Sequence, residues 1–331
     1  MSNTLQQTAS AAAPSLAVVV PCYNEEEVLP IAIPVLENLL KRMMDSGKIS
    51  DQSQLYFVDD GSRDRTWEIL KAKSAENSCI TGIKLSRNKG HQNALYAGLV
   101  TTREDIVVSI DADLQDDPEN IEKMVDEYLA GSDVVYGVRS ERTTDTFFKR
   151  FTAEGYYKLM KKMGVDLVFN HADFRLLSRR ALNSLLEYDE SNLFLRGIVR
   201  EIGYPSSTVE YERKAREAGE SKYPLRKMLS FAWNGITSFS AVPLRAITVI
   251  GILSSLISFS ILTWVLITRL FTDDAIPGWA SILLPLLFIG SVQLLCLGVI
   301  GEYMSKLYSE SKRRPKFHIS EIATSRDKPS Q

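Results

Sequence analysis

Two long uncharged stretches near the C-terminus constrain the fold of this chain more than any other feature. They cover residues 247–267 and 279–300, and neither contains a charged side chain. At about 1.5 Å per residue, each would form a helix about 30 Å long, which matches the hydrocarbon thickness of a bilayer. Helices in the core of a soluble protein are seldom so uniformly apolar. The sequence therefore predicts two transmembrane helices within residues 244–307, joined by a short polar connector.

The charges that flank these stretches predict their orientation. Basic residues precede the first stretch and follow the second: Arg226, Lys227, Arg245, Lys306, Lys312, Arg313, Arg314 and Lys316. Cytoplasmic flanks of membrane helices carry an excess of Lys and Arg. We therefore expect a two-pass hairpin in the plasma membrane, with both termini and the preceding domain in the cytoplasm. Residues 308–331 would form a basic cytosolic tail.

Two further segments lie outside the predicted membrane helices and the main domain. Residues 224–243 carry apolar side chains at three- and four-residue steps, which is typical of an amphipathic helix lying on a membrane surface. A helix that packs on a protein core is the alternative. Residues 1–14 are rich in Ser, Ala and Gln and lack the apolar core of a signal peptide, so we expect a disordered leader.

Residues 15–223 alternate between short apolar runs and amphipathic segments. The pattern predicts strands at 16–21, 55–58, 80–85, 106–110 and 134–138, and helices at 25–44, 66–76, 89–101 and 118–129. Such alternation indicates an α/β domain with a mostly parallel sheet and helices on both faces. The signal weakens beyond Arg139, where we predict helices at 147–163 and 179–186 and strands at 174–177 and 209–213.

Acidic residues follow two of these apolar runs directly. Asp59 and Asp60 close the second strand, and Asp111 and Asp113 follow the fourth. The carboxyl ends of neighbouring parallel strands converge on one edge of a sheet. Two Asp residues separated by one residue suit a hard divalent cation that also holds phosphate oxygens. The sequence therefore predicts a nucleotide-dependent enzyme that holds a divalent cation.

The overall composition excludes other classes of function. The formal net charge is −2 at pH 7, so no bulk field attracts nucleic acid. The three cysteines are scattered, without the spacing of a metal site or of a disulfide framework. We therefore expect a protein of a reducing compartment.

The segment from Val18 to Glu27, together with the two acidic clusters, resembles family 2 glycosyltransferases of the GT-A fold. It is most similar to the branch that moves a sugar from a nucleotide onto a polyprenyl phosphate, which includes bactoprenol glucosyltransferases and dolichol-phosphate mannose synthases. The resemblance spans about residues 16–223. It implies that the nucleoside and its phosphates are bound by Pro21, Tyr23, Asn24, Glu25, Asp59 and Asp60.

The resemblance also assigns roles around the second acidic cluster. It implies that Asp113 coordinates Mg²⁺ or Mn²⁺, that Asp111 supports the site, and that Gln115 contacts the donor or the acceptor. Lys89, in a segment that resembles the family's Arg-Asn-x-Gly-x-x-x-Ala pattern, would meet the donor phosphates. His91, in the same segment, fits a structural hydrogen bond better than a catalytic role.

Basic residues predict two anion-binding elements. Arg139, Lys149 and Arg150 follow the fifth strand and would bind the phosphate of a lipid acceptor, because a guanidinium binds phosphate in a bidentate manner. A solvated basic loop is the alternative. The resemblance implies a mobile loop that closes over the donor pyrophosphate with Arg213, Arg216 and Lys222; a basic linker to the membrane is the alternative there.

Asp173 resembles the family residue that faces the acceptor. Most inverting glycosyltransferases need a base at this place, but a phosphate monoester has a second pKa near about 6 and is largely ionised at neutral pH. We therefore expect Asp173 to orient the acceptor or the sugar more than to remove a proton.

The resemblance implies transfer of a sugar, with inversion, to undecaprenyl or another polyprenyl phosphate. Glucose from UDP-glucose is the first expectation, and GDP-mannose or a UDP-linked pentose are alternatives. A polysaccharide synthase and a nucleotide-binding membrane scaffold fit the sequence less well. Polar residues in the apolar stretches suggest contacts between helices, and hence a homo-oligomer: Ser254, Ser255, Ser258, Ser260 and Gln293.

Overall fold

The computed structural model of the chain describes residues 13–139, 171–190, 195–211, 242–271 and 278–325. The chain divides into two units. The first comprises Met1–Ala153, Leu167–Lys222 and Pro315–Gln331, and the second comprises Glu154–Asp166 and Tyr223–Arg314. Several predicted elements lie outside the described residues: most of the leader, the helix at 147–163, the connector at 272–277 and nearly all of the amphipathic helix at 224–243.

The first unit is built on a sheet of eight strands. In chain order they are β1 Leu16–Cys22, β2 Gln54–Asp59, β3 Ile80–Leu85, β4 Ile106–Ser109, β5 Val134–Arg139, β6 His171–Ser178, β7 Ser206–Tyr211 and β8 Ile319–Ala323. Their spatial order is β7-β5-β6-β4-β1-β2-β3-β8. β1, β2, β3 and β4 run parallel, while β6 is antiparallel to β4 and β5, and β8 is antiparallel to β3.

Helices cover both faces of this sheet. They are α1 Leu29–Asp45, α2 Thr66–Glu76, α3 His91–Thr101, α4 Asn120–Leu129, α5 Arg179–Leu186 and α6 Leu195–Glu201. α1, α2 and α4 share an apolar core with Leu16, Val18 and Val20 of β1. α3 packs on the opposite side chains of β1 and β2, so closely that a Cβ on Gly98 would lie 2.3 Å from Val19 Cγ1. The predicted α/β sheet, largely parallel and covered on both faces, is confirmed.

The predicted boundaries are wrong at the starts of several elements. β6 and β7 each begin three residues before the predicted start, and α1 and α3 begin later than predicted. α1 begins at Leu29 instead of residue 25, because Asn24 adopts a left-handed φ of 55° and the chain turns before the helix. α3 begins at His91 instead of residue 89, because the backbone N–H groups of Lys89 and Gly90 bind Asp60. In both places, the residues lost from the helix belong to loops at the acidic edge of the sheet.

The eighth strand, β8, is not among the predicted elements. Its five residues lie within 308–331, the segment predicted to be a basic cytosolic tail. β8 pairs with β3 through a register that joins Ile83 to Ile322, and the backbone N–H of Ser86 donates to the carbonyl of His318 at 2.9 Å. An unpaired edge strand invites aggregation. β8 therefore covers an edge that would otherwise be open.

The second unit contains two long apolar helices, α7 Val242–Phe271 and α8 Gly278–Ser311. Among the described residues, the stretches long and apolar enough to span a membrane are Val242–Ile261 and Phe288–Ser311, with mean hydropathies of 1.9 and 1.4. Large apolar side chains on both helices are exposed, among them Phe259 and Leu294. Both helices are long and apolar enough to cross a membrane, as the sequence predicts.

Candidate active site

The carboxyl edge of β1, β2 and β4 gathers the acidic residues that the sequence singles out. Asp59 ends β2, Asp60 follows it, and Asp111 follows β4 across the parallel pairs β1–β2 and β1–β4. Asp59 and Asp60 are buried, with exposed fractions of 0% and 2%. Buried carboxylates require partners, so the hydrogen bonds of each one indicate what it does.

Asp60 holds the loop that follows β3. Its Oδ1 accepts a hydrogen bond from the backbone N–H of Lys89 at 2.7 Å, and its Oδ2 accepts one from Gly90 at 2.8 Å. Burial raises the pKa of Asp60, although these two N–H groups act against the shift. Gly61, at a φ of 67°, lies so close to this loop that a Cβ would sit 2.6 Å from Asn88 N. Asp60 and Gly61 therefore shape the loop that carries Lys89.

Asp59 presents an acceptor that the fold does not use. Its Oδ1 accepts the backbone N–H of Ser62 at 2.9 Å. Its Oδ2 is buried and has no hydrogen-bond partner among the described residues. Because a lone buried carboxylate oxygen is costly, this atom suits an N–H or O–H group of a bound ligand.

The segment from Pro21 to Glu25 lies against the loop after Asp59. Pro21 pairs with Val58 at the end of β1. The backbone N–H of Asn24 donates to Ser62 Oγ at 2.9 Å, and its side-chain oxygen accepts from Arg63 N at 2.9 Å. The structure thus brings Asn24 and the neighbouring Tyr23 and Glu25 beside Asp59.

Asp111 combines one buried carboxylate oxygen with neighbouring negative charge, although its side chain as a whole is 37% exposed. Its Oδ1 is buried without a hydrogen-bond partner among the described residues, and it lies 3.5 Å from His91 Nε2. Burial raises the pKa of Asp111 to about 6; His91 opposes this shift, whereas Asp173, Asp116 and Asp113 reinforce it. A cation at this position would relieve the repulsion among these acids.

The turn after Asp111 is strained. Leu114 adopts a left-handed φ of 51°, which is unfavourable for a residue with a branched side chain. Asp113 Oδ1 accepts the backbone N–H of Gln115 at 3.1 Å, and Gln115 is buried. This turn keeps Asp113 at the same edge of the sheet as Asp111.

The acids fit a divalent ion that is shared with a ligand. Across the described part of the chain, no group of three or more His, Cys, Asp or Glu side chains is arranged to hold a metal. The buried, unpartnered Oδ1 of Asp111 and the hard oxygen chemistry of Asp113 suit Mg²⁺ or Mn²⁺. The missing ligands would come from the phosphates of a nucleotide, because Mg²⁺ is commonly bound by one or two carboxylates together with substrate phosphates.

Asp173, on β6, is the centre of a second buried network. Its Oδ1 accepts from Arg175 at 2.5 Å, and both of its oxygens accept from Arg196, at 3.2 and 3.1 Å. Gln92 Nε2 also donates to Asp173 Oδ2 at 3.1 Å, and His91 Nε2 lies 3.5 Å from the same oxygen.

These partners determine the protonation of the network. Burial alone would raise the pKa of Asp173, but His91, Arg175 and Arg196 hold it well below its usual range. Burial lowers the pKa of His91, but its neighbours Asp173 and Asp111 raise it overall. Asp173 is thus a fixed anion, which makes it a poor general base.

Arg139, predicted to bind the acceptor phosphate, is held by another acid. Its Nη2 donates to Asp116 Oδ1 at 2.9 Å and Oδ2 at 3.2 Å, and the hydroxyl of Tyr211 donates to the same carboxylate at 2.6 Å. Asp116 is buried, whereas the Arg139 side chain is 29% exposed. Arg139 therefore links the ends of β5 and β7 to the turn that carries Asp113.

The other predicted basic residues lie outside the described residues: Lys149, Arg150, Arg213, Arg216 and Lys222. Five residues that form the hydrogen-bond networks around Asp173 and Arg139 are not among the predicted site residues: Gln92, Asp116, Arg175, Arg196 and Tyr211. Asp116 gave a weak signal as part of an acidic run before α4. Arg175 lies two residues from Asp173 on β6, so the two side chains share one face of that strand and their pairing had a local signal. The contacts of Gln92, Arg196 and Tyr211 with these acids depend on strand order and helix packing, which the local sequence does not reveal.

The mostly parallel α/β sheet, with paired acids at its carboxyl edge, has the architecture of GT-A glycosyltransferases. The chain belongs to glycosyl transferase family 2, whose sequence model matches residues 17–186. The resemblance noted from the motifs is thereby confirmed, and the protein is an enzyme.

Curated relatives match nearly the whole chain. An uncharacterised glycosyltransferase of Bacillus subtilis is 49% identical over 92% of this chain and 91% of its own length. The bactoprenol glucosyl transferase of Shigella phage SfV is 39% identical over 92% of this chain and 97% of its own. A prophage bactoprenol glucosyl transferase homologue of Escherichia coli is 37% identical over 93% and 99%.

Among solved structures, glucosyl-3-phosphoglycerate synthase of Mycobacterium tuberculosis, crystallised with Mn²⁺, UDP and phosphoglyceric acid, has a TM-score of 0.48. It is 22% identical, and the match covers 68% of this chain and 77% of that one. This likeness is too low to support an argument about the site.

Proposed function

We propose that the enzyme transfers glucose from UDP-glucose to a polyprenyl phosphate, such as undecaprenyl phosphate, and releases UDP. The observation that carries the proposal is the Asp111–Asp113 turn, which lies at the acidic edge of the sheet in a chain that also has two long apolar helices. Relatives named bactoprenol glucosyl transferase, matched over most of the chain, support both the sugar and the lipid.

The donor would bind along the edge from β2 to β4. The free Oδ2 of Asp59 would accept the N–H of a uracil base, with Pro21, Tyr23, Asn24 and Glu25 beside the base and ribose. The loop that Asp60 holds would place Lys89 at the diphosphate. These contacts would fix the nucleotide before the sugar reacts.

The leaving group accumulates negative charge, and Asp111 and Asp113 would hold Mg²⁺ or Mn²⁺ on its phosphates. Such an ion neutralises charge that develops on a departing diphosphate. The residues predicted to close over the pyrophosphate, Arg213, Arg216 and Lys222, would add to this neutralisation. Gln115, buried in the same turn, would contact the donor or the acceptor.

The acceptor needs no base. An oxygen of the lipid phosphate, largely ionised because its second pKa is about 6, attacks the anomeric carbon. The bond from that carbon to the diphosphate oxygen breaks on the opposite face, and its electron pair leaves with UDP. An α-linked donor thereby gives a β-linked product. Asp173, already an anion held by Arg175 and Arg196, would orient the reactants and remove no proton.

The membrane helices would keep the lipid tail in the bilayer while the chemistry stays in the cytosol. Lys149 and Arg150 would bind the acceptor phosphate near the membrane. Arg139 would contribute indirectly, because it holds Asp116 and with it the turn that carries Asp113. We propose that both termini and the catalytic unit are cytoplasmic, with the amphipathic helix at 224–243 on the membrane surface. Association of membrane helices into a homo-oligomer is part of the same proposal.

The test is transfer of radiolabelled glucose from UDP-glucose to undecaprenyl phosphate by the purified enzyme in detergent, with and without EDTA. The proposal predicts label in the extracted lipid, lost with EDTA and restored by Mg²⁺ or Mn²⁺. Transfer from GDP-mannose or a UDP-linked pentose, but not from UDP-glucose, would correct the donor. No transfer from any nucleotide sugar would reject the proposal.

A further inference from the structure

The side-chain amide of Gln92 has a fixed orientation. Its Nε2 donates to Asp173 Oδ2 at 3.1 Å. Asp173 is an ionised carboxylate that can only accept hydrogen bonds, because Arg175 and Arg196 hold it as an anion. Only the NH₂ end of the Gln92 amide can therefore face Asp173, and the oxygen Oε1 must point elsewhere.

That oxygen is a buried acceptor without a partner. Gln92 Oε1 has no hydrogen-bond donor among the described residues and no exposure to solvent. The large majority of buried polar side-chain atoms in proteins have a partner, and an orphan needs an explanation. Here, the amide that carries the orphan binds Asp173, which is proposed to orient the reactants. His91 Nε2 lies 3.5 Å from Asp173 and from Asp111, so Gln92 belongs to the cluster that includes the proposed metal-binding acid.

We propose that Gln92 Oε1 accepts a hydrogen bond from a hydroxyl group of the bound nucleotide sugar, so that Gln92 helps to determine donor specificity. This inference rests on the proposed function. A carbonyl oxygen requires a donor, and the oxygens of the diphosphate and of the ionised acceptor phosphate are acceptors. Because the N–H of the uracil base is assigned to Asp59, the remaining donors on the substrates are the hydroxyls of the sugar and the ribose. A site that is built to bind a hydroxyl discriminates strongly against an analogue that lacks it.

The experiment is a double-mutant cycle between Gln92 and each hydroxyl. The Gln92→Met variant keeps the length of the side chain and removes both polar atoms. Its kcat/KM would be compared with that of the wild type for UDP-glucose, for the four monodeoxyglucose donors and for UDP-glucose analogues that lack a ribose hydroxyl. We expect one analogue to react roughly 10-fold or more slowly with the wild type, and to react no more slowly than UDP-glucose with Gln92→Met.

The Gln54→Met variant is the matched control. Gln54 is also buried on the sheet, but its amide binds Ser78 O and Thr81 Oγ1 at 3.3 Å, and both bonds lie at the amino end of β2 and β3. Its discrimination among the analogues should equal that of the wild type. Should Gln92→Met fail to fold, Gln92→Leu offers the same loss of polar atoms with a smaller side chain.

The outcomes separate the inference from the proposed function. Non-additivity confined to one sugar hydroxyl supports the inference and identifies the hydroxyl, and non-additivity at a ribose hydroxyl places the contact on the nucleoside. Equal losses by Gln92→Met for every donor would overturn it. If the wild type transfers no sugar at all, the proposed function fails, and the same cycle measured on donor binding by calorimetry decides the role of Gln92.

Discussion

At the scale of single residues, the acids of the site divide into those that serve the fold and those that remain available to a ligand. Asp60 gives both of its oxygens to the loop after β3, and Asp173 gives both of its oxygens to side chains around it. Asp59 and Asp111 each retain one buried oxygen without a hydrogen-bond partner among the described residues. We therefore expect Asp59 and Asp111 to bind a ligand directly, and Asp60 and Asp173 to orient neighbouring groups of the site.

The Asp173→Asn variant tests whether Asp173 is a base. It would remove the carboxylate that Arg175 and Arg196 bind, and losing one member of a buried ion pair costs about 3–5 kcal/mol of stability. We expect unfolding in urea at lower concentration, while the pH dependence of kcat between pH 5 and 8 keeps its shape. Loss of an acidic limb from that profile would show that Asp173 accepts a proton during turnover.

The same variant has a defined pH dependence of stability. The pKa of Asp173 is depressed in the folded state, so its contribution is present above the pKa of the unfolded chain, about 4, and is lost as the pH falls through the folded value. The difference in unfolding free energy between wild type and Asp173→Asn should therefore be constant near neutrality and shrink at strongly acid pH. A difference that instead grows towards acid pH contradicts the assignment of Asp173 as a fixed anion.

The Asp113→Ala variant tests the metal site. Without this carboxylate, we expect Mn²⁺ binding in the presence of UDP to weaken and transfer to fall by roughly 100-fold or more, since removing one electrostatic stabiliser of a transition state costs about that much. Asp117→Asn is the control, because Asp117 accepts the backbone N–H of Glu119 at the start of α4. Equal losses of Mn²⁺ binding and of transfer in the two variants would show that Asp113 has no special role in holding the metal.

At the scale of elements, the positions of the strands were predictable and their partners were not. Each of β1 to β5 is an apolar run that ends in a turn signal, and the acids after β2 and β4 mark the functional edge. Nothing local indicates that β6 lies between β4 and β5 or that β7 pairs with β5. For that reason, the sequence did not indicate that strand order brings Arg139, predicted to bind the acceptor phosphate, to Asp116 and Tyr211.

The coupling of Arg139 to Asp116 can be measured with a double-mutant cycle. Arg139→Gln and Asp116→Asn should each lower the unfolding free energy by about 3 kcal/mol, and the double variant should lose much less than the sum. KM for the lipid acceptor should change little in Arg139→Gln. A large rise in that KM, with additive stabilities, would instead favour direct binding of the acceptor phosphate by Arg139.

Removal of β8 tests the covered edge of the sheet. A chain truncated after Arg314 loses the strand pairing with β3, the bond from Ser86 to His318 and the packing of Phe317 on Tyr96. At about 1 kcal/mol for each hydrogen bond, we expect a clear fall in melting temperature and association through the exposed edge. Phe317→Ala should lower the melting temperature less and leave the protein monodisperse. An unchanged melting temperature after truncation would show that β8 contributes nothing to the sheet.

At the scale of the whole molecule, strand pairing restricts how the chain crosses a membrane. β3 precedes α7 and α8 in the chain and β8 follows them, yet the two strands pair in one sheet. A sheet lies on one side of a bilayer, so the chain between its strands must cross an even number of times. Two apolar helices satisfy this requirement as a hairpin, which agrees with the basic residues on both flanks.

A membrane hairpin predicts opposite accessibility for the connector and for β8. In intact cells, a cysteine introduced by Asp273→Cys, between the two helices, should react with a membrane-impermeant maleimide, while one introduced by Ser320→Cys should react only after lysis. The native Cys22, Cys79 and Cys296 would first be replaced by serine or alanine to remove background. Labelling of Ser320→Cys from outside would place the sheet beyond the membrane, where no cytosolic UDP-glucose is available. Labelling of neither site in intact cells would mean that the two helices do not form a membrane-crossing hairpin.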